Sequence, residues 1–255
     1  MKPVNIKDSE MNREYSPKQL GLHYTTVERH RIGGTTLFET AKSEHALVIL
    51  SGKGVVECAG KIFSVGHLDT LYLPWHQSVR IEGEDLTFMR YSAPSDRDVE
   101  PTLFEFSSIN SDIRFHNTFG SVQDGTGREV WKIINDDFPC SRLMIGICKG
   151  MPGCWTAWPP HRHGEAREEV YYYFEMEGNY AVQLVYNNVD DPEMVSIVKD
   201  GDLISIPDGF HPNFGTPAQG ISYIYCMVAT VPGERNFMDL EIQEEYREQF
   251  AGDMK

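Results

Sequence analysis

The sequence predicts an all-β protein of two β-barrel units in tandem, with little helix. Three observations carry that expectation. Short runs rich in β-branched and aromatic residues recur along the chain, each closed by turn residues, a pattern typical of barrels and sandwiches. The second half repeats the pattern of the first. Helical periodicity is confined to the ends, chiefly Leu240 to Phe250.

Taken in order, Ala46–Leu50 runs into Ser51-Gly52-Lys53-Gly54, and Gly54–Cys58 into Ala59-Gly60-Lys61. Thr70–Leu73 ends at Pro74, and Leu86–Tyr91 closes the first set. The second set is Arg142–Ile147, Val170–Glu175, Tyr180–Tyr186, Leu203–Ile206 and Ile221–Val228. In each half an acidic residue opens a strand (Glu44, or the pair Glu168-Glu169), and a glycine turn, a second strand and a proline follow. The stretch from Ser92 to Asp112, with Pro94, Pro101 and several charges, is expected to connect the halves. The expected units are therefore residues 1–110 and 111–255.

A net charge of −15 argues against nucleic-acid binding, which needs a basic footprint. It also means that an anionic substrate must find local positive charge against the overall field. No apolar run approaches the roughly 20 residues that cross a bilayer. The amino-terminal Met1–Asp8 has no apolar core, so the cytoplasm is the expected location, with no membrane partner. Five cysteines without CxxC spacing fit reduced thiols. Cys148 and Cys226 lie in apolar stretches and are expected to pack, while Cys154 is close enough in sequence to His161 to be weighed as a neighbour of the site.

The chemistry concentrates in two segments. One is Pro159-Pro160-His161-Arg162-His163 followed by Glu168-Glu169-Val170-Tyr171-Tyr172-Tyr173; the other is Gly201 to Pro212, containing Pro207, Gly209 and His211. Residues two apart in a strand face the same side, so His161 and His163 can converge, with a glutamate and His211 completing a site. Imidazole with carboxylate suits one divalent ion of zinc, manganese, iron or nickel. Alternation alone leaves Glu168 and Glu169 open, since one turns inward and the other is expected to face solvent. The first half lacks the set: no HxH precedes Glu44, and His45, His67 and His76 do not match the motif. That unit is expected to carry no metal and to cover the second barrel or form an oligomer contact.

These motifs resemble the cupin superfamily, and two of them in one chain resemble a bicupin of two jelly-roll barrels. More narrowly, Pro159–His163, Glu168–Tyr173 and Pro207–Pro212 resemble 5-deoxy-glucuronate isomerase of inositol catabolism, with Ala46–Pro74 and Asp137–Gly153 extending the likeness. The resemblance implies His161, His163, Glu169 and His211 as metal ligands, because cupin glutamates stand directly before the apolar residue that opens the strand. It also implies aldose–ketose isomerisation of 5-deoxy-glucuronate to 5-dehydro-2-deoxy-gluconate. Phe174 and Leu184 stand where that family would have basic residues. Gly233–Asp239 instead resembles 5-keto-4-deoxyuronate isomerase, a sister family of pectin breakdown, which is the alternative.

Such a reaction needs a hydrogen-bond donor at the developing oxyanion and a cation for the substrate carboxylate. Tyr171 and Tyr173 are the expected catalytic donors. Arg142, Lys149 and Gln183 are the expected substrate contacts, with Arg162 turned away from the metal by alternation. The expected partners are a small deoxy-uronate and further copies of the chain as a homo-oligomer. A cupin metal dioxygenase and a non-catalytic sugar-binding cupin are the competing classes.

Overall fold

A computed structural model describes residues 1–248. The first half supplies β1 (Val4–Ile6), β2 (Arg13–Tyr15), β3 (Thr26–Glu39), β4 (Ser43–Cys58), β5 (Lys61–Val65), β6 (Thr70–Leu73), β7 (Ser78–Pro94) and β8 (Thr102–Phe104). The second supplies β9 (His116–Phe119), β10 (Arg128–Ile134), β11 (Leu143–Gly150), β12 (Trp155–Thr156), β13 (His161–Arg162), β14 (Arg167–Tyr173), β15 (Ala181–Val185) and β16 (Met194–Val198). It continues with β17 (Leu203–Ile206), β18 (Asn213–Gly215), β19 (Ile221–Ala229) and β20 (Glu241–Ile242). The α-helices are single turns, α1 (Pro17–Leu20) and α2 (Phe106–Ile109).

One large sheet runs β2-β3-β7-β4-β6-β8 with β5 on β4; the other runs β1-β17-β14-β19-β11-β10-β9. Smaller sheets β12-β18-β15-β16 and β13-β20 complete the second half. Every strand pairing within these sheets is antiparallel, so residues alternate between faces. On β14 that alternation separates two cores. Val170 and Tyr172, with Phe174 just beyond the strand, join Val48, Tyr72, Met89 and Tyr91 in a cluster between the two large sheets. Tyr171 and Tyr173 face a second core, within the second half of the chain. A separate cluster, including Leu47, Ile49 and Phe88, fills the first. Each large apolar side chain so buried contributes roughly 1.5–3 kcal/mol, which makes the first half a packed backing for the sheet that bears Glu169.

Glu168 corrects an expectation. It does not face solvent: it is 3% exposed and its carboxylate enters the inter-sheet core. There Oε1 accepts from Tyr24 N at 2.8 Å, Thr25 N at 2.7 Å and Thr25 Oγ1 at 2.7 Å, and Oε2 from His23 N at 2.7 Å. Glu44 does the same in the opposite direction. Its carboxylate accepts from Ser141 N at 2.8 Å, Arg142 N at 2.6 Å and Leu143 N at 2.8 Å, and from Tyr72 Oη at 3.0 Å. The acidic residue that opens the repeated strand in each half thus ties down three consecutive backbone amides of the other.

Three other segments depart from the sequence reading. Residues 102–104 of the expected connection form β8, paired with β6. The amino-terminal β1 leaves the first half and pairs with β17. The expected helix from Leu240 begins instead as extended β20, because Glu241 and Ile242 bond to β13, and helical turns start only at Glu244. Its last positions, 249 and 250, lie outside the described residues.

Candidate metal centre

The HxH segment is only half a strand. His161 lies in β13, but His163 has φ −101° and ψ −8° and starts the 3-10 turn Gly164–Ala166. This turn, with Gly164 at φ +55°, takes up the extra residue between His163 and Glu169 and returns the chain to β14. His211 arrives from the loop after β17. The result brings one ring nitrogen each of His161, His163 and His211 within 4.8 Å of one another. Glu169 Oε2 lies 3.3 Å from His163 Nε2 and 3.1 Å from His211 Nε2.

The protonation pattern suits a cation. His161 Nδ1 is 2.9 Å from Pro159 O and His211 Nδ1 is 2.8 Å from Gly209 O. A carbonyl oxygen only accepts, so each Nδ1 carries the hydrogen and each Nε2 offers its lone pair. Burial lowers the pKa of His161 well below its ordinary value, with the other two imidazoles adding to the effect, and burial lowers that of His163. Burial alone would raise the Glu169 carboxyl, but hydrogen bonds donated by the His163 and His211 imidazoles would hold it below the usual carboxylate range. That pull needs a hydrogen on the facing nitrogen, and a metal ion on the Nε2 lone pairs would replace it. Neutral imidazoles and an ionised carboxylate are the forms that bind metal. His163 Nε2, His211 Nε2 and Glu169 Oε2 are buried with no hydrogen-bond partner among the described residues. Buried polar atoms are nearly always satisfied, so three such atoms close together are the donor set a bound cation would satisfy.

Of these ligands, His161, His163 and Glu169 line a cavity of about 330 Å³. Its walls are largely apolar, including Trp158, Tyr223, Tyr225, Met227 and Phe237. Tyr171 lines it with its ring 6.0 Å from that of His211, and burial raises its phenol pKa well above the ordinary value. The phenol therefore stays protonated and can donate.

The other residues singled out from sequence lie elsewhere. Tyr173 Oη donates to Gln183 Oε1 at 2.6 Å, and Gln183 Nε2 donates to Leu184 O at 2.7 Å and His211 O at 2.9 Å. Both residues brace the His211 loop from behind rather than lining the cavity. Arg142 Nη1 donates to Ala229 O and Thr230 O, and its guanidinium lies over Tyr24. Lys149 pairs with Glu175 at 2.8 Å on another surface. Arg162 pairs with Glu241. Cys154 is buried away from the cavity, which Cys148 lines instead. In the first half, His67 pairs with Glu175 and His45 Nε2 contacts Thr40 O. The cavity's cations, Arg128 and Lys132 on β10, were not foreseen.

Comparison with known proteins bears on this site. The model of the KduI/IolB family matches residues 2–244. The chain belongs to the KduI/IolB family. Among curated relatives of this family member, 5-deoxy-glucuronate isomerase of Geobacillus kaustophilus is 24% identical, the match covering 85% of this chain and 83% of that protein. The 4-deoxy-L-threo-5-hexosulose-uronate ketol-isomerase of Dickeya dadantii is 27% identical, over 83% of this chain and 70% of the other. Among solved structures, an IolB-like protein of Salmonella typhimurium superposes with a TM-score of 0.83 at 21% identity, over 97% of this chain and 98% of that one. Oxalate decarboxylase of Lactobacillus farciminis superposes at 0.65 and 14% identity, over 91% and 87% of the two chains. The fold of this KduI/IolB chain is the β-rich jelly-roll fold of the cupins.

Proposed function

We propose that the chain is a metal-dependent aldose–ketose isomerase of a deoxy-uronate, with His161, His163, Glu169 and His211 as ligands of one divalent ion. The observation that carries this reading is the set of unpartnered, buried ligand atoms beside a largely apolar cavity. A metal held there supplies Lewis-acid polarisation of a carbonyl and its neighbouring hydroxyl. The protein's own contributions are separable. The carbonyls of Pro159 and Gly209 hold His161 and His211 in the ligating tautomer. Tyr171, protonated at neutral pH, donates to the oxygen that gains charge, and the apolar walls exclude water from the reacting carbons.

The first-choice substrate is 5-deoxy-glucuronate, converted to 5-dehydro-2-deoxy-gluconate. The ketol-isomerase reaction is kept as a second reading because Gly233–Asp239 resembles that sister family. Zinc is named first among the metals, before manganese, iron and nickel. A cytoplasmic location accords with five unpaired, buried cysteines. The homo-oligomer belongs to the same proposal, and a solution mass equal to the 29.1 kDa monomer would remove it.

The test is metal analysis of the purified chain, with ketose formation followed from each of the two uronates. Turnover of neither by metal-replete protein overturns the isomerase reading. Oxygen uptake with a catechol or dione would replace it with the dioxygenase, and uronate binding without turnover with the sugar-binding module.

A further inference from the structure

The cavity that holds His161, His163 and Glu169 is also lined by two cations. Arg128, Val130 and Lys132 of β10 line the cavity, while Trp131 and Ile133 turn into the inter-sheet core. Lys132 pairs across the sheet with Gly146, Gly146 with Tyr225, and Tyr225 with Tyr171, two residues from Glu169. Lys132 is thus three strand spacings, roughly 14 Å of sheet, from the strand that carries Glu169. Gly146 between them has no Cβ because the Tyr225 phenol lies over it, and a Cβ there would collide with Tyr225 Oη and Trp131 O.

Neither cation is neutralised. Lys132 Nζ sits 4.4 Å from the centroid of Phe237 and 5.5 Å from that of Phe119, and no carboxylate among the described residues pairs with it. Asp136, whose field reaches Lys132, already accepts the Phe237 amide at 2.9 Å. Arg128 is 9% exposed and donates only to the neutral carbonyls of Thr126 and Trp158. Two half-buried or buried cations without a counter-ion are costly in a chain with acid to spare, unless an anion is bound there in use. The ligand cluster lies on a different strand of the same cavity, so an anion held by Lys132 is a part of the substrate other than the group that meets the cluster.

We propose that Lys132, with Arg128 four residues away on the same face of β10, anchors the carboxylate of the sugar acid whose carbonyl end reaches the His161–His163–Glu169–His211 cluster. Lysine supplies a compact point charge on a stem held between two aromatic rings, which sets how far the carboxylate stands from the metal. This role is the one that sequence reasoning gave to Arg142 and Lys149. The choice of a sugar acid rests on the isomerase reading, so the test uses binding without turnover.

Calorimetry of the metal-loaded full chain would compare D-glucuronate with D-glucose, which differ at the carboxylate carbon, and with glucose 6-phosphate. The expected result is at least about a tenfold preference for glucuronate over glucose, falling to within about twofold in both Lys132→Met and Lys132→Gln. Lys132→Met keeps the stem packed between Phe119 and Phe237, and metal content and melting temperature report its fold. A wild-type chain without the preference, or variants that retain it, overturns the proposal. Tighter binding of glucose 6-phosphate overturns the carboxylate assignment. Absence of uronate turnover, by contrast, counts against the isomerase reading alone.

Discussion

The adjacent glutamates Glu168 and Glu169 should give opposite phenotypes when each is changed to glutamine. Glu168 accepts four hydrogen bonds, three from consecutive backbone amides. In Glu168→Gln the remaining carbonyl oxygen can serve Tyr24 N, Thr25 N and Thr25 Oγ1, but the new amide group meets the His23 N–H donor to donor. One charge-assisted bond is lost and three are weakened, against a background of about 1.5–3 kcal/mol per hydrogen bond to a charged group. A net loss of about 3 kcal/mol follows, or about 6–12 °C in melting temperature for a chain of this size. Metal content should not change, because the carboxylate points into the inter-sheet core. Glu169→Gln removes a buried charge from the ligand cluster, so its metal occupancy should collapse while its metal-free melting temperature stays within about 3 °C of the wild type. Thermal melts of metal-stripped protein and mass-spectrometric metal analysis separate the two. A Glu168→Gln variant that loses metal but melts like the wild type would refute the assignment of the two faces of β14.

Two further outcomes are expected. His163→Ala should abolish metal retention and turnover and leave the far-ultraviolet spectrum of a β-protein; full occupancy in that variant would remove His163 from the ligand set. Acid should destabilise the metal-free chain in two stages. Burial, with the Arg90 charge adding to it, lowers His45 to about 4, so the unfolded chain binds more protons between pH 6.5 and 4 and stability falls as pH falls through that window. The His45 share is at most about 3 kcal/mol. Histidines 161 and 163 act in the same direction. Glu28 is held at about 2 despite burial, chiefly by His30 and Arg90, so its contribution persists above pH 4.5 and is lost only below it. Urea titrations between pH 7 and 4.5 should show a shallower slope for His45→Leu, and an unchanged slope would dismiss His45 as a source.

What was legible in the sequence was what is local. Strands such as Leu203–Ile206 announce themselves by residue type and by the turns around them, and the HxH spacing brings His161 and His163 together even though the second histidine ends in a turn. The three-residue β1 and β8 have no room for a pattern, and their pairing with β17 and β6 depends on chain that is distant in sequence. Alternation could not choose between Glu168 and Glu169, because both faces of β14 are buried. It also could not tell which basic strand residues reach the cavity. Arg142 and Arg128 look alike in sequence, and only the strand order β10-β11-β19-β14 decides that β10 closes the wall.

The repeat itself bears on why the candidate ligand cluster lies in one half. Glu44 and Glu168 are equivalent in sequence pattern and make equivalent bonds, so the next residues, His45 and Glu169, occupy matching positions. In the first barrel the nearby charges cancel one another. Glu28 pairs with Arg90 and lies 2.6 Å from His30, while Phe38 and Phe88 pack against Arg90, His45 and His30. In the second half His161, His163 and Glu169 share a cavity with Arg128 and Lys132, neither of which pairs with a carboxylate among the described residues. A barrel whose charges pair internally has no electrostatic need of a ligand. One that holds unpaired ligand donors and unpaired cations in the same cavity would, on the proposed reading, be completed by a cation and an anionic substrate, with the cations setting which end of that substrate meets the metal.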